Sequence, residues 1–209
     1  MIKLAYCNVE NLDLKKAYSL VSRNRQEKID FYRFKKDKKL SAGAYLLLKK
    51  LLSEENITDP IFKTEKYGKS YISNHEDIYF NLSHSNKMVL CAISDMEVGA
   101  DIEYNDPSID LNIARNYFYN SEYENIMNAK NSSDEFFKYW VLKESYMKYT
   151  GLGMNLELDS FEIMIKDEIT VNKNKNLKFN LFTLKDYKIG IAGHYHVCNL
   201  IEYDVSELY

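Results

Sequence analysis

The stretch FNLSHSNKMVLCAISDMEVGADIE, residues Phe80–Glu103, decides our interpretation of this chain. Its middle part, residues 87–94, is a short apolar segment rich in branched side chains, which predicts a buried strand. We expect Val98–Glu103 to be the antiparallel partner of that strand, joined to it by a short turn in a β-hairpin. Alternate side chains of a strand face the same way, so Asp101 and Glu103 should lie side by side.

Two carboxylates in that arrangement need an explanation. Like charges at this spacing repel each other, so such a pair is stable either in open water or around a cation. The solvated face of an edge strand would explain an isolated D-x-E pair without any function. Two neighbours favour a functional site: Gly99 allows close approach to the backbone, and the polar segment NLSHS (81–85) precedes the buried strand.

Length and composition limit the possible classes of protein. The 209 residues are 45% hydrophobic and 14% aromatic, which suffices for one sizeable globular unit or two small lobes. The net charge of −3 argues against a nucleic-acid-binding protein. We expect no membrane span or signal peptide, since no run approaches roughly 20 apolar residues. Cys7, Cys91 and Cys198 lie far apart in apolar segments, which predicts reduced core thiols in a cytosolic protein.

A helical pattern with many basic residues extends over residues 14–52. A solvated helix face would explain most of these basic residues. Within residues 23–39, however, few acidic residues balance them, so an anionic ligand is a second interpretation. Further along, turn-forming residues and a proline at 105–108 predict a hinge between an N-terminal lobe, 1–104, and a C-terminal lobe, 105–209.

The segment SSDEFFKYWVLKESYMK, residues 132–148, predicts a long helix that begins with an S-x-x-E capping box at Ser132. Glu144 falls on the same helical stripe as Trp140, so we expect it to face the core. A carboxylate in that position needs a cation, which is either a metal ion or the ammonium group of Lys148 one turn on. The residues alone leave both alternatives open.

The chain after this helix alternates as a closing series of antiparallel strands would. His194 and His196 stand at strand spacing in the last part of this region and could chelate a metal ion. We interpret them as ordinary strand residues.

Three motifs carry a resemblance to a known enzyme family. They are FNLSHS (80–85), VGADIE (98–103) and WVLKESYMK (140–148), the last followed by GLG (151–153). In this order and spacing they resemble the phosphopantetheinyl transferases of the larger, surfactin-synthetase-activating type. Those enzymes move the phosphopantetheine arm of coenzyme A onto a serine of a carrier protein. Weaker agreement extends over nearly the whole chain.

The resemblance implies a role for each of a small set of residues. Asp101, Glu103 and Glu144 would hold Mg²⁺, and Lys148 would touch the phosphate under attack or assist proton transfer. Glu144, Lys148 or a water molecule would then be the general base. The residues that the resemblance assigns to coenzyme A binding are Arg25, Lys28, Lys39, Lys69, Ser83, His84 and Lys148, with His84 at the 3′-phosphate.

The resemblance also implies an α+β fold of two similar lobes related by a pseudo-twofold axis, each a small antiparallel sheet with helices. We expect a cytoplasmic monomer whose partners are coenzyme A and an apo acyl or peptidyl carrier protein. Two other classes use similar residues. A metal-dependent nuclease would need a basic surface, and a non-catalytic coenzyme A binding module would not need three carboxylates.

Overall fold

The computed structural model describes residues 1–197 and 199–209 and has an α+β fold, which confirms the predicted fold class. The helices are α1 (Leu14–Leu20), α2 (Arg23–Phe31), α3 (Lys35–Glu54), α4 (Asn112–Tyr117), α5 (Asn120–Asn128) and α6 (Ser132–Thr150). The strands are β1 (Ile2–Asn8), β2 (Phe62–Thr64), β3 (Ser70–Ile72), β4 (Tyr79–Ser85), β5 (Met88–Ser94), β6 (Val98–Tyr104), β7 (Ile163–Ile165), β8 (Ile169–Val171), β9 (Lys178–Leu184), β10 (Tyr187–Gly193) and β11 (Leu200–Tyr203).

The largest sheet has four strands in the order β11-β1-β5-β4. Strand β1 is antiparallel to β5, with Leu4 opposite Ala92, and parallel to β11, with Leu4 opposite Leu200. Helix α3 packs against this sheet and buries Leu47 and Leu51 completely. The long apolar stripe of α3 explains this packing, because burial of such a stripe is the main source of helix stability in a folded protein.

A second sheet has three strands in the order β6-β10-β9, and its composition corrects one prediction. The predicted hairpin of β5 and β6 is wrong, since β6 pairs with β10, with Asp101 opposite Gly190. Strand β5 pairs instead with β1 on one side and β4 on the other. All seven residues of β5 are buried, and a strand buried in this way lies inside a sheet with a partner on each edge. The segment NLSHS belongs to β4 itself.

Helix α6 was predicted at its observed position, but its first residue is capped differently. Asn131 is the N-cap, and its side-chain oxygen accepts a hydrogen bond from the Asp134 amide at 3.1 Å. The predicted capping box at Ser132 is therefore wrong, because Asn131 comes one residue earlier and already supplies the acceptor. Gly151, with a φ of 70°, ends the helix in the left-handed conformation that favours glycine.

Two glycines allow the second sheet to approach α6 closely. A Cβ atom at Gly99 would lie 1.9 Å from the backbone oxygen of Ser145, and one at Gly190 would lie 2.3 Å from that of Val141. These distances leave no room for a side chain, so only glycine is compatible with this packing. The face of β6 that bears its acidic residues is thereby held against α6.

The strand pairing crosses the predicted lobe boundary in both directions. Strand β6 precedes residue 105 and belongs to the sheet of β9 and β10, whereas β11 returns to the sheet of β1. The division into lobes at 104 and 105 stays a prediction. Cys7 and Cys91 are buried free thiols, as predicted, and Cys198 lies outside the described residues. No helix in the described part of the chain is long and apolar enough to cross a bilayer.

Candidate active site

Asp101 is the centre of a network that joins β4, β6 and α6. Its Oδ1 atom accepts hydrogen bonds from the Ser83 hydroxyl at 2.7 Å and from the Lys148 ammonium group at 2.6 Å. Lys148 also donates to the Ser83 hydroxyl at 3.0 Å. The Asp101 side chain is buried, and its Oδ2 atom has no hydrogen-bond partner among the described residues. Leaving a buried carboxylate oxygen without a partner is costly, so this atom is suited to receive a further ligand.

Two more carboxylates lie close to Asp101. Glu103 accepts a hydrogen bond from the Ser85 hydroxyl at 2.6 Å. Desolvation and then the charge of Asp101 raise the pKa of Glu103 to about 7. The pKa of Glu144 is also raised, by desolvation first and then by Asp101. Lys148 opposes both shifts, but its single ammonium group does not offset the desolvation of these carboxylates and their repulsion by Asp101.

These observations bear on whether the three carboxylates suit a metal ion. Within residues 1–197 and 199–209, no group of three or more His, Cys, Asp or Glu side chains converges closely enough to hold a metal ion in its present arrangement. The unpaired oxygen of Asp101 and the raised pKa values of Glu103 and Glu144 nevertheless fit a hard cation at this position, because a cation would stabilise the carboxylates in their ionised form. Carboxylate oxygens are also the ligands that Mg²⁺ prefers.

The partner of Lys148 settles one alternative that the sequence left open. In the part of the chain that the structure describes, the Lys148 ammonium group forms its ion pair with Asp101 and none with Glu144. A simple pair of Glu144 and Lys148 across one helical turn is therefore not what satisfies Glu144.

A cavity of about 320 Å³ opens beside Lys148. The basic residues on its wall are Arg25, Lys28, Lys69, His84 and Lys148. Desolvation lowers the pKa of Arg25 and of Lys28, although Arg25 is half-buried and Lys28 is exposed. The Arg25 guanidinium lies 5.0 Å from the centre of the Tyr45 ring, and neither cation has an ion pair with a described residue. Cations held in this way attract a phosphorylated ligand.

His84 stands on β4 at the edge of this cavity. Its pKa is lowered by desolvation first and then by the charges of Lys148 and Lys28. The imidazole is therefore neutral near neutral pH in the free protein, and an anion placed beside it would favour the protonated form.

Three of the predicted coenzyme A residues are placed differently from the rest. Ser83 is buried and does not line the 320 Å³ cavity, since its hydroxyl lies between Asp101 and Lys148. Lys39 donates a hydrogen bond to the Glu10 carbonyl and lines a second cavity of about 390 Å³, so the structure does not bring it together with His84. Lys69 lines the first cavity, but its ammonium group is already bound by the Glu97 carboxylate and the Tyr149 carbonyl. It therefore ties the loop before β3 to the last turn of α6.

Sequence reasoning missed a set of polar side chains on β4. The Asn81 side chain accepts a hydrogen bond from the Ala100 amide at 3.0 Å, and Ser85 supports Glu103 as Ser83 supports Asp101. Asn81, Ser83 and Ser85 alternate along the strand and all face β6. The polar side chains of NLSHS therefore recur at every second residue, as they do in a strand. This alternation could have identified the segment as a strand of its own.

Comparison with known proteins identifies the family of this chain. Residues 97–196 match a family described as "4'-phosphopantetheinyl transferase superfamily", and residues 8–96 match one described as "4'-phosphopantetheinyl transferase, N-terminal". The chain is 30% identical over 185 residues to 4'-phosphopantetheinyl transferase Sfp of Bacillus subtilis, which covers 86% of this chain and 82% of that protein. It is 38% identical over 168 residues to 4'-phosphopantetheinyl transferase gsp of Aneurinibacillus migulanus, which covers 77% of this chain and 68% of that protein. This chain belongs to the Sfp-type 4'-phosphopantetheinyl transferases.

Proposed function

We propose that this protein transfers the phosphopantetheine arm of coenzyme A to a serine hydroxyl of an apo acyl or peptidyl carrier protein. Adenosine 3′,5′-bisphosphate is released. The observation that carries the proposal is the position of Lys148, which lines the basic cavity and also bonds to Asp101. A polyphosphorylated ligand in the cavity therefore ends beside the three carboxylates, where its pyrophosphate is open to attack.

We propose that Asp101, Glu103 and Glu144 hold Mg²⁺ in the active enzyme. When bound, Mg²⁺ would neutralise the pyrophosphate and stabilise the charge that develops on the leaving group. Asp101 would offer its unpaired Oδ2 atom, and Glu103 would give up the proton that its raised pKa favours. The Ser83 and Ser85 hydroxyls each donate to one of these carboxylates and so restrict its orientation.

The remaining side chains act on the substrates. Lys148 would donate to the phosphate under attack, where a fixed positive charge gains most as negative charge accumulates. The serine oxygen forms a bond to phosphorus while the bond to the bisphosphate oxygen breaks. The hydroxyl proton passes to a base at the site. Glu144 is the candidate when Lys148 carries its charge, and Lys148 is the alternative only in its neutral form, in which it could not act as the fixed positive charge. His84 would contact the 3′-phosphate, with Arg25 and Lys28 along the rest of the nucleotide.

The test is to incubate the protein with coenzyme A, Mg²⁺ and an isolated apo carrier protein and to weigh the carrier protein by mass spectrometry. The carrier should gain about 340 daltons, and EDTA should stop the gain because it removes the cation that neutralises the pyrophosphate. An unchanged carrier mass would contradict the proposed function. Undiminished transfer in EDTA would contradict only the metal assignment. Cleavage of added nucleic acid with no change in the carrier would favour the nuclease.

We further propose that the enzyme works as a cytoplasmic monomer that does not act on nucleic acid. One chain supplies both the basic cavity and the three carboxylates, so a second copy is not needed to complete the site. The net charge of −3 also opposes attraction to nucleic acid.

A further inference from the structure

The turn between β2 and β3 forms one wall of the 320 Å³ cavity. We call residues 65–69 the β2–β3 turn, and three of them, Tyr67, Gly68 and Lys69, line the cavity together with residues that follow α6. The two strands that carry the turn have only three residues each and pair with each other in a sheet of their own. A hairpin this small is marginally stable by itself. The position of this wall therefore depends on what attaches the turn to the rest of the protein.

The Lys69 side chain provides that attachment. Its ammonium group is bound by the Glu97 carboxylate, and it donates to the Tyr149 carbonyl at 3.1 Å and to the Val98 carbonyl at 3.5 Å. These three oxygens account for the three N–H donors of a lysine. The side chain is only 10% exposed. Among the described residues, every hydrogen bond from the β2–β3 turn to the protein outside its own hairpin comes from this ammonium group.

The attachment holds the β2–β3 turn against the end of α6. A Cβ atom at Gly151 would lie 3.3 Å from the Glu65 carboxylate and 3.4 Å from the Cδ atom of Lys69, so the two segments are in contact. Tyr149, which accepts a hydrogen bond from Lys69, directly follows Lys148 in the last turn of α6. The spacing between the cavity wall and Lys148 is therefore set by the hydrogen bonds of Lys69.

Glu97 supplies the only carboxylate that pairs with Lys69 in the described part of the chain. It lies in the short connection between β5 and β6, and it does not line the cavity. Removal of its carboxylate would leave the ammonium group of Lys69 nearly buried with only neutral acceptors, and a buried charge without its counterion is costly. Glu97 therefore acts on the cavity through Lys69.

We propose that Glu97 is a positioning residue for coenzyme A, which acts through Lys69 to hold the β2–β3 turn against α6 and so fixes the shape of the cavity. The proposal rests on the proposed function, which names coenzyme A as the ligand. It gives Lys69 a structural role in the cavity wall, because all three of its N–H donors already have oxygen partners. The alternative, in which Lys69 leaves Glu97 to bind a phosphate, predicts the opposite effect for the removal of Glu97.

The test compares the affinity for coenzyme A of wild type and three variants, measured by calorimetry. Glu97→Ala should weaken binding by about tenfold, because the cavity wall is no longer held in place. Lys69→Met should weaken binding at least as much. The double variant Glu97→Ala/Lys69→Met should bind no more weakly than Lys69→Met, because the two residues act as a unit. Unchanged or tighter binding by Glu97→Ala would overturn the proposal, and so would additive losses in the double variant.

Steady-state rates separate a positioning effect from a loss of folded protein. Glu97→Ala should raise the KM for coenzyme A by about tenfold, whereas kcat should stay within about twofold of wild type. A lower kcat with an unchanged KM would overturn the proposal. The matched control is Asp95→Ala, since Asp95 lies in the same connection but pairs with the N-terminal ammonium group. This control should keep the wild-type affinity for coenzyme A, and a tenfold loss would show that the pair with Lys69 is not responsible.

Hydrogen exchange measured without ligand separates this proposal from the proposed function. The Glu65 and Gly68 amides are hydrogen-bonded within the β2–β3 turn, and they should exchange about tenfold faster in Glu97→Ala than in wild type. Faster exchange together with weaker coenzyme A binding supports the proposal even if the carrier protein is not modified. Unchanged exchange rejects it even if transfer is fast. A wild-type protein that does not bind coenzyme A would overturn both.

Discussion

Helix α6 carries two lysines that differ in how deeply they are buried and in how completely their ion pairs are bonded. The Lys143 ammonium group is completely buried and fully bonded: it lies 2.8 Å from the Glu122 carboxylate, and it donates to the Leu158 carbonyl at 2.8 Å and the Phe161 carbonyl at 2.9 Å. The Lys148 side chain is 27% exposed and faces a carboxylate that keeps one oxygen unpaired.

The carboxylates of the two pairs differ in the same way. Glu122 accepts hydrogen bonds from the Ile163 amide at 2.6 Å and the Tyr119 amide at 3.0 Å, so both of its oxygens are satisfied. Desolvation raises the pKa of Glu122 and lowers that of Lys143, yet their mutual attraction opposes both shifts. Burial with complete bonding is typical of a structural ion pair, whereas incomplete bonding beside a cavity is typical of a ligand site.

Removal of Lys143 should have the largest effect on stability. Lys143→Met leaves Glu122 charged and buried without its counterion, which should lower the free energy of unfolding by roughly 3–5 kcal/mol. Urea denaturation measures this change. The double variant Lys143→Met/Glu122→Met should recover much of the loss, because no buried charge remains. A fully stable single variant would contradict the structural role. The matched change Lys148→Met should cost less, and Mg²⁺ should restore what is lost.

Lys148→Ala should chiefly affect catalysis. Turnover should fall by about 100-fold or more, because the charge that stabilises the transferring phosphate is lost. Affinity for Mg²⁺ should not fall, since the ammonium group no longer occupies the Oδ1 atom of Asp101. Steady-state rates and calorimetric Mg²⁺ titration measure the two quantities. Near wild-type turnover would lead us to abandon the site.

Glu144→Gln should weaken Mg²⁺ binding and turnover together, each by about tenfold, with partial recovery at high Mg²⁺ concentration. Rates measured across a Mg²⁺ series show whether the loss follows metal occupancy. Glu135→Gln is a suitable control, because Glu135 is also a carboxylate on α6 but is paired with Lys138 at 2.8 Å. Loss of turnover with no change in Mg²⁺ affinity would instead favour Glu144 as the base.

His84→Ala should weaken the binding of coenzyme A by about tenfold more than the binding of dephospho-coenzyme A, because the lost contact is to the 3′-phosphate. Competition binding with the two ligands measures the difference. An equal loss for both ligands would place His84 elsewhere on the substrate.

The smallest expected effect is a pH dependence of that preference. The pKa of His84 is lowered in the free protein, so the neutral imidazole predominates at neutral pH. A bound phosphate would favour the imidazolium and raise this pKa, so the preference for coenzyme A over dephospho-coenzyme A should grow as pH falls. Affinities for both ligands, measured from neutral to mildly acidic pH, should show this growth in wild type and not in His84→Ala.

Local pattern was enough to predict part of this structure. The alternation in a strand put Asp101 and Glu103 on one face, and helical spacing with a following glycine fixed the extent of α6. The roles of these residues came from the resemblance and stay proposals. Their proximity to α6 depends on Gly99, whose role in helix packing no local pattern indicates.

The errors came from contacts between distant parts of the chain. An apolar run such as β5 shows that a strand is buried but not which strands pair with it. The sequence therefore led to a predicted hairpin with β6, which is the next strand along the chain. The placement of Lys39 depends on the carbonyl of Glu10, and the burial of Lys143 depends on Glu122. Neither partner is indicated by its spacing in the sequence.

The parallel pairing of β1 with β11 constrains how the protein is made. Leu4 and Leu200 are neighbours in the sheet although nearly the whole chain separates them, and contacts of this kind form slowly. While the chain grows on the ribosome, one edge of β1 keeps its amide and carbonyl groups unpaired until residues 200–203 have emerged. Such an edge can pair with another chain, so the nascent protein is more prone to aggregate while β11 is still absent from the sheet.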